Sequence, residues 1–282
     1  MDKVERLSVI RLTPDGHSRV EVVVAQEFFA TIFFNGKELA TLLCSPNDLD
    51  YLAAGFLFSE DLIKGKDDIE KIEVDDKLGV IRVNTKNAVQ GDARNASPRL
   101  IASGCGGAAN FYSIQDAELL RVDSRLEIRA EDVFSLVKTF QHYSTTYLAT
   151  HGTHSAALSD ADGIVVFSED IGRHNAIDKL FGKCLLEDIP TADRLILTSG
   201  RVSFEILQKV TKRAVPVVIS ISTPLSLGAK MADKLGVTLI GSVRSRSMYV
   251  YSHPQRIIDL VSQTMSQDIG EMELDRPANP AG

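Results

Sequence analysis

Apolar and polar positions alternate with a period of two near the start of the chain and give way to helical spacing further on. Val20 to Val24 and Ala30 to Phe34 are β-branched or aromatic runs, the composition of half-buried strands. Asn35-Gly36 separates the second run from Lys37 to Leu43, and this dipeptide suits a tight hairpin turn in which both residues take positive φ. Leu49, Leu52, Ala53 and Phe56 fall on one helical face, which predicts a helix over 48–58 with Asn47 as its N-cap. Two more strands are expected around Ile69–Val74 and Val80–Val83, on either side of the turn Asp75-Asp76-Lys77.

Between Thr85 and Ala109 the periodicity stops. The stretch is rich in Asn, Ala, Ser and Gly, ends near Ser103-Gly104-Cys105-Gly106-Gly107, and reads as a mobile connection. A helix is expected from Ala130 to about Tyr147, with Val133, Leu136, Val137 and Phe140 as its apolar stripe. Beyond it strands and helices alternate. Strands are expected at Thr153–Leu158, Ile164–Phe167, Arg194–Thr198, Pro216–Ile221 and Val237–Gly241, and helices at Arg173–Leu186, Ser203–Arg213 and Ser226–Leu235. The last units have the length and continuous apolar strands of right-handed β-α-β crossovers in a buried parallel sheet. A final helix is expected near Pro254, followed by a frayed tail over Asp275–Gly282. The organisation is therefore an α/β protein: a smaller β-rich N-terminal domain with its linker over residues 1–102, and a larger α/β domain over 103–282.

Composition narrows the function. The 282 residues carry 31 Lys+Arg against 38 Asp+Glu, a net charge of −7, which argues against a non-specific nucleic-acid binder. With 44% hydrophobic and 24% charged residues, wholesale disorder is excluded. No apolar run approaches the ~18–20 residues needed to span a membrane, and the charged start Met1-Asp2-Lys3-Val4-Glu5-Arg6 is unlike a signal segment. The cytoplasm is the expected compartment. Three cysteines, Cys44, Cys105 and Cys184, rule out a disulfide scaffold and a four-cysteine zinc site.

Ligands of open parallel sheets bind beyond the carboxyl ends of strands, where loops lead into helix N-termini. Four such junctions carry polar, turn-competent residues: Ser168 to Asn175, Thr198 to Ser203, Ser220 to Pro224 and Gly241 to Ser247. Gly172 and Gly200 permit close backbone approach. Arg173, Arg201, Arg244 and Arg246 are able to fork onto phosphate oxygens. Ordinary capping by Ser and Thr, with solvated arginines, is the alternative. Four junctions at one edge favour a phosphorylated or nucleotide-like ligand.

Cys44 and Cys184 sit in apolar patterns and read as core filler. Cys105 lies among glycines, with no side chains to wall off its sulfur, and reads as the reactive thiol. His151-Gly152-Thr153-His154 invites a metal reading. However, the glutamate of the zinc deaminase pattern is missing after His154 and no cysteine pair follows, so no zinc is expected. His154 is expected at the cleft or on a ligand. His174, at a helix start, is expected to be a neutral donor. Asp178 and Lys179 read as a solvated pair unless the cleft reaches them.

These residues carry a resemblance. Thr150 to Ala157, Ser168 to Lys179 with its Glu-Asp-Ile-Gly-Arg-His-Asn-Ala core, and Thr198 to Glu205 closely resemble the formate dehydrogenase accessory sulfurtransferase family (FdhD). Ser222-Thr223-Pro224 and Tyr251 to Ile257 also look like that family, and the resemblance spans nearly the whole chain. It implies a cytidine-deaminase-like α/β domain without the deaminase zinc. It implies a sulfurtransferase that receives sulfane sulfur from a cysteine desulfurase on Cys105 and passes it to the bis-molybdopterin guanine dinucleotide cofactor of formate dehydrogenase. The cofactor would be held by His154, Gly172, Arg173, His174, Asn175, Ser199, Gly200, Arg201, Ser203, Ser222 and Thr223. The loop Ser242, Val243, Arg244, Ser245, Arg246 and Ser247 would clamp its pyrophosphate. The implied partners are the desulfurase, the formate dehydrogenase catalytic subunit and a second copy of the chain, with neither nucleic acid nor membrane. One departure stands out. The family usually carries Cys-Gly-x-Cys-Gly, whereas this chain has Cys105-Gly106-Gly107-Ala108-Ala109. One thiolate suffices to form a persulfide, and what is lost is a neighbouring thiol to share the transfer. Two other readings remain: a chaperone that binds and delivers the cofactor without sulfur chemistry, and a metal-dependent hydrolase or deaminase acting on free nucleotides.

Overall fold

A computed structural model describes residues 2–86, 99–101 and 121–258. The chain begins as a two-stranded antiparallel ribbon, β1 (Val4–Thr13) and β2 (Gly16–Ala25). Next come β3 (Phe28–Phe34) and β4 (Lys37–Cys44), joined at Asn35-Gly36 with φ of 50° and 78°. Both central residues have the positive φ of a twist-matched hairpin turn, as the dipeptide predicts. β5 (Ile69–Asp75), β6 (Val80–Thr85) and β7 (Arg99–Ile101) complete a five-stranded sheet in the order β5-β6-β3-β4-β7. Its buried face, with Ile32, Leu42, Ile81 and Val83, packs on Leu52, Leu57 and neighbours from helix α1 (Leu49–Ser59). The N-cap of α1 is Asp48, in the left-handed region at φ 54°, and not Asn47. The Asn47 side chain donates instead to the Asp48 carboxylate at 2.6 Å.

The second sheet is built from β8 (His154–Ser159), β9 (Ile164–Asp170), β10 (Leu195–Thr198), β11 (Val217–Ser220), β12 (Thr238–Arg244) and β13 (Ser247–Ser252), in the order β13-β12-β11-β10-β8-β9. β10, β11 and β12 run parallel through two crossovers, α5 (Phe204–Thr211) and α6 (Ser226–Lys234). β8, β9 and β13 pair antiparallel with their neighbours, so the sheet is mixed. Alternate residues of the central strands feed two cores. Ile196 and Val218 pack with Ile177, Leu180 and Leu207 under α4 (Arg173–Leu186), α5 and α6. Leu195, Leu197, Val217 and Ile219 pack with Val133, Leu136 and Phe140 of α2 (Ala130–Gln141). Burial on both faces accounts for the unbroken apolar runs.

Two further expectations are corrected. The helix expected over 130–147 breaks into α2 and α3 (Thr145–Thr150), because the Ser144 hydroxyl accepts from the Tyr147 amide and starts a new helix. Gly241 to Ser247 does not lead into a helix: it is the end of β12 and the tight turn to β13, an edge strand not expected from the sequence. Near Pro254 a 3-10 turn, Pro254–Arg256, forms and Ile258, the last described residue, is helical; the rest of the expected helix lies outside the described residues. The expected boundary between residues 102 and 103 falls outside the described residues.

The two sheets are joined by α1 crossing α4. A Cβ added to Gly55 would lie 1.8 Å from the Asp178 carbonyl oxygen, and one added to Gly182 would lie 1.9 Å from that of Tyr51. The backbones therefore touch, and no other residue fits at either position.

Candidate functional site

Strand direction gathers the expected site at one edge of the second sheet. Thr198 lies opposite Ala156 on β8 and Ser220 on β11, and His154 lies opposite Asp170 on β9. The start of β8 and the ends of β9, β10 and β11 thus share one side, which the end of β12 joins. Backbone bonds knit the connecting loops. Ser199 N–H donates to Ser155 O at 3.0 Å, Ile221 N–H to Thr198 O at 3.2 Å, and Ser242 N–H to Ser222 O at 2.8 Å.

His154 is half-buried here. Its Nδ1 lies 3.3 Å from Ser199 Oγ, which also accepts from the Ser155 amide at 2.8 Å. Burial lowers its pKa, and the guanidinium groups of Arg173 and Arg201 lower it further against the pull of Asp170. His154 is therefore a neutral hydrogen-bonding group beside two cations. Gly200 lies against Arg173: a Cβ there would stand 2.8 Å from Arg173 Cβ and 3.0 Å from its Cδ. Gly200 N–H donates to Thr198 Oγ1 at 3.1 Å, and its carbonyl accepts from Ser220 Oγ at 2.9 Å. Arg201 is exposed. Arg244 is tethered by Nη1 donating to Ile221 O at 2.7 Å and to Val243 O at 3.0 Å.

His174 begins α4 buried. Burial pushes its pKa down to about 3, with Lys209, Arg173 and His154 adding to the effect. Its Nε2 lies 3.1 Å from a Glu205 carboxylate oxygen without the alignment of a hydrogen bond. Burial first, then these neighbouring cations, favour the neutral imidazole.

A cavity of about 350 Å³ opens beside His154 and Ser199. Phe140, Tyr147 and Ile221 supply apolar walls, and His151, Thr153 and Ser155 supply polar ones. Tyr147 and His151 meet edge to face with ring centroids 5.1 Å apart. The hydroxyls of Thr153 and Ser242 are buried with no hydrogen-bond partner among the described residues, an unusual state for buried polar atoms unless something else bonds them. Phe140, Tyr147, Ile171 and Ile221 were not legible as site residues. Only the four-residue spacing of Tyr147 and His151 signals a shared helical face.

Other expected residues have different placements. Asn175 is buried in the joint between the sheets, donating to Leu43 O and to Asp170 Oδ1, both at 2.9 Å. The same Asp170 accepts from Ser45 N–H and Gly172 N–H, each at 2.9 Å, and pairs with Lys179 at 2.7 Å. Lys179 and Asp178 are buried rather than solvated, and Asp178 is held by Ser59 at 2.6 Å and Lys209 at 2.5 Å. Ser203 caps α5 by accepting from Ile206 N–H at 3.4 Å. The Val243 side chain belongs to the core under α2, so only its backbone faces the edge. Ser245, Arg246 and Ser247 lie on the exposed β12–β13 turn, and Thr223 is half-buried in the loop before α6. Cys105 lies outside the described residues. Cys44 and Cys184 are buried, and burial pushes both thiols up to about 12, the inert thiols of a core. Among the described residues no group of three His, Cys, Asp or Glu side chains lies close enough to hold a metal, and no helix is long and apolar enough to cross a membrane.

Comparison with known proteins follows the same outline. The model of the FdhD/NarQ family matches residues 25–258. The sulfur carrier protein FdhD of Bacillus subtilis is 40% identical over 241 residues, covering 85% of this chain and 92% of its own. That of Staphylococcus haemolyticus is 37% identical over 257 residues, covering 91% and 97%. A crystal structure of a candidate formate dehydrogenase accessory protein from Desulfotalea psychrophila superposes with a TM-score of 0.75. It covers 91% of this chain and all of its own at 24% identity, a likeness of fold. By the family match and by relatives aligned over most of its length, this chain belongs to the FdhD/NarQ family.

Proposed function

We propose that this chain is a cytoplasmic sulfur carrier that takes sulfane sulfur from a cysteine desulfurase onto Cys105 and delivers it to the bis-molybdopterin guanine dinucleotide cofactor of formate dehydrogenase, working as a homodimer. The observation that carries the reading is the single sheet edge at which His154, Ser199, Gly200, Arg173, Arg201 and Arg244 converge beside a cavity of about 350 Å³. Relatives named as sulfur carriers support the chemistry. The molybdenum cofactor is the substrate of the transfer.

The donor's persulfide is attacked at its outer sulfur by the Cys105 thiolate. The S–S bond of the donor breaks, its thiolate leaves, and Cys105 becomes the persulfide; no external oxidant is consumed. At the acceptor the outer sulfur bonds to the cofactor as the Cys105 S–S bond breaks and Cys105 leaves as a thiolate; the two electrons that take the sulfur from the sulfane to the sulfide level would come from the reduced cofactor. Arg173, Arg201 and Arg244 bind the diphosphate of the guanine nucleotide ends as forked cations. Neutral His154 and the Thr153 and Ser242 hydroxyls offer hydrogen bonds, and Phe140 and Tyr147 offer apolar faces to the base.

The test is intact mass after incubation with a desulfurase and cysteine. Wild type is expected to gain one sulfur atom and Cys105→Ala none. If wild type gains nothing, or the variant gains the same mass, the sulfur step is wrong. Ala108, in place of the second cysteine usual in the family, favours one rival, a chaperone that delivers the cofactor without carrying sulfur. That reading predicts that Cys105→Ala still restores formate dehydrogenase activity in cells lacking the protein, while Arg201→Ala does not.

A further inference from the structure

The ribbon of β1 and β2 stands apart from the apolar cores. Each strand has ten residues, the two pair only with one another among the described residues, and neither contributes to a core cluster. The register sets Leu7 opposite Val22 and Val9 opposite Val20, so these four side chains share one face with Val24. A lone two-stranded ribbon is marginal in water, and a long open edge is a template for another strand.

That edge is the outer side of β1. Gln26 N–H donates to Lys3 O at 2.9 Å, continuing the ladder with β2. The odd-numbered residues of β1 therefore turn their backbone groups toward β2, and Arg6, Ser8 and Ile10 turn theirs outward. All three are exposed.

We propose that this edge pairs with the same edge of a second copy, antiparallel about a two-fold axis through Ser8, giving a four-stranded sheet across the dimer. The proposal deepens, and rests on, the two-copy assembly stated above; it needs nothing from the sulfur chemistry. Charge selects the register. Centred on Ser8, Glu5 lies opposite Arg11 of the partner subunit and Leu7 opposite Val9 of the partner subunit, each pair occurring twice. These are non-hydrogen-bonded positions, where opposed side chains come closest. Centring on Val9 would set Leu7 against an arginine and leave Glu5 without a cation. Centring between Ser8 and Val9 would oppose Arg6 and Arg11, like charges, and would join the apolar face of one ribbon to the other face of its partner.

The experiment is sedimentation of the full chain over a concentration series. Wild type is expected to be a dimer. Glu5→Arg and Arg11→Glu should each weaken association by roughly tenfold or more, since each places two like-charged pairs at the junction. The double variant should restore it. Ser8→Pro removes only an outward N–H, so it should dissociate the dimer while leaving the ladder with β2 and the circular-dichroism spectrum unchanged. Dimeric wild type with all four variants equally dimeric would overturn the ribbon and leave the two-copy assembly standing on another face. Monomeric wild type would overturn both, and would mean that a different strand covers the edge.

Discussion

Asp170 and Lys179 form an ion pair of 2.7 Å with neither side chain exposed, at the joint where α4 meets the loop after β4. The two groups are not equally dependent on each other. Asp170 also accepts from the amides of Ser45 and Gly172 and from the Asn175 side chain. Lys179 also donates to the Ser45 carbonyl at 3.2 Å. Removing one member of a buried pair costs about 3–5 kcal/mol, mostly from the charge left behind. Asp170→Asn, which strands an ammonium, is expected near the top of that range. Lys179→Met, which leaves a carboxylate with three N–H donors, is expected to cost less. Urea denaturation of the two variants checks the order, and an equal or larger loss in Lys179→Met would contradict it.

The contact of α1 with α4 makes a sharper stability prediction. Gly55→Ala would bring a methyl carbon to 1.8 Å from the Asp178 carbonyl oxygen, and Gly182→Ala to 1.9 Å from that of Tyr51. Neither obstacle is a flexible side chain, so the helices must separate. Each substitution is expected to cost about 3 kcal/mol or more. Gly65→Ala, with nothing within 4 Å of the new carbon, should stay within about 0.5 kcal/mol of wild type. Thermal unfolding of the three variants separates a steric effect from a generic loss of glycine.

Much of this architecture is readable in the residues because its signals are local. The Asn35-Gly36 turn needs only its own backbone, and the limits of α4 follow from Gly172 and the apolar spacing of Ile177, Leu180 and Phe181. What escaped the sequence depends on distant partners. Ser144 breaks a helix whose pattern otherwise runs on, and its hydroxyl also meets Glu169, 25 residues away. Asn175, Asp178 and Lys179 have the polarity of ligand or surface residues. Their partners Leu43, Ser59 and Ser45 lie more than a hundred residues earlier, so nothing nearby marks them as a buried joint. The edge strand β13 was hidden although Met248 to Tyr251 has strand composition, because β12 runs on through the loop-like Ser242 to Arg244 and turns straight into it. Of the site, the polar rim was legible and the walls were not: Phe140 and Ile221 look like core until the fold places them at a cavity.

Acid should weaken the fold through His174. Its folded-state pKa lies near 3, against an ordinary value of 6.5, so the unfolded chain binds the proton more readily. The sign follows from linkage: stability is intact above about 6.5 and is lost as the pH falls toward about 3, by at most roughly 5 kcal/mol. His174→Gln removes the titrating group, so the difference in stability between wild type and variant should shrink or reverse from pH 7 to pH 4. Parallel denaturation curves at the two pH values, with no change in the difference, would show that the imidazole gains a partner when it is protonated.

Gly200 offers a test of the site that leaves the core alone. The carbon that alanine adds would lie 2.8 Å from Arg173 Cβ, an atom fixed to the helix backbone, so either the loop after β10 or the start of α4 must shift by a few tenths of an ångström. That shift is small for folding but large for a forked guanidinium, whose hydrogen bonds to a phosphate depend on alignment. Gly200→Ala is therefore expected to lose about 1 kcal/mol of stability or less and to weaken binding of guanosine diphosphate by roughly tenfold, measured by calorimetry. Arg173→Ala should match the loss in binding, and the double variant should be little worse than either single one, because both act on the same guanidinium. Additive losses would place Gly200 and Arg173 in separate contacts with the nucleotide. Unchanged binding in Gly200→Ala would remove Arg173 from the phosphate site.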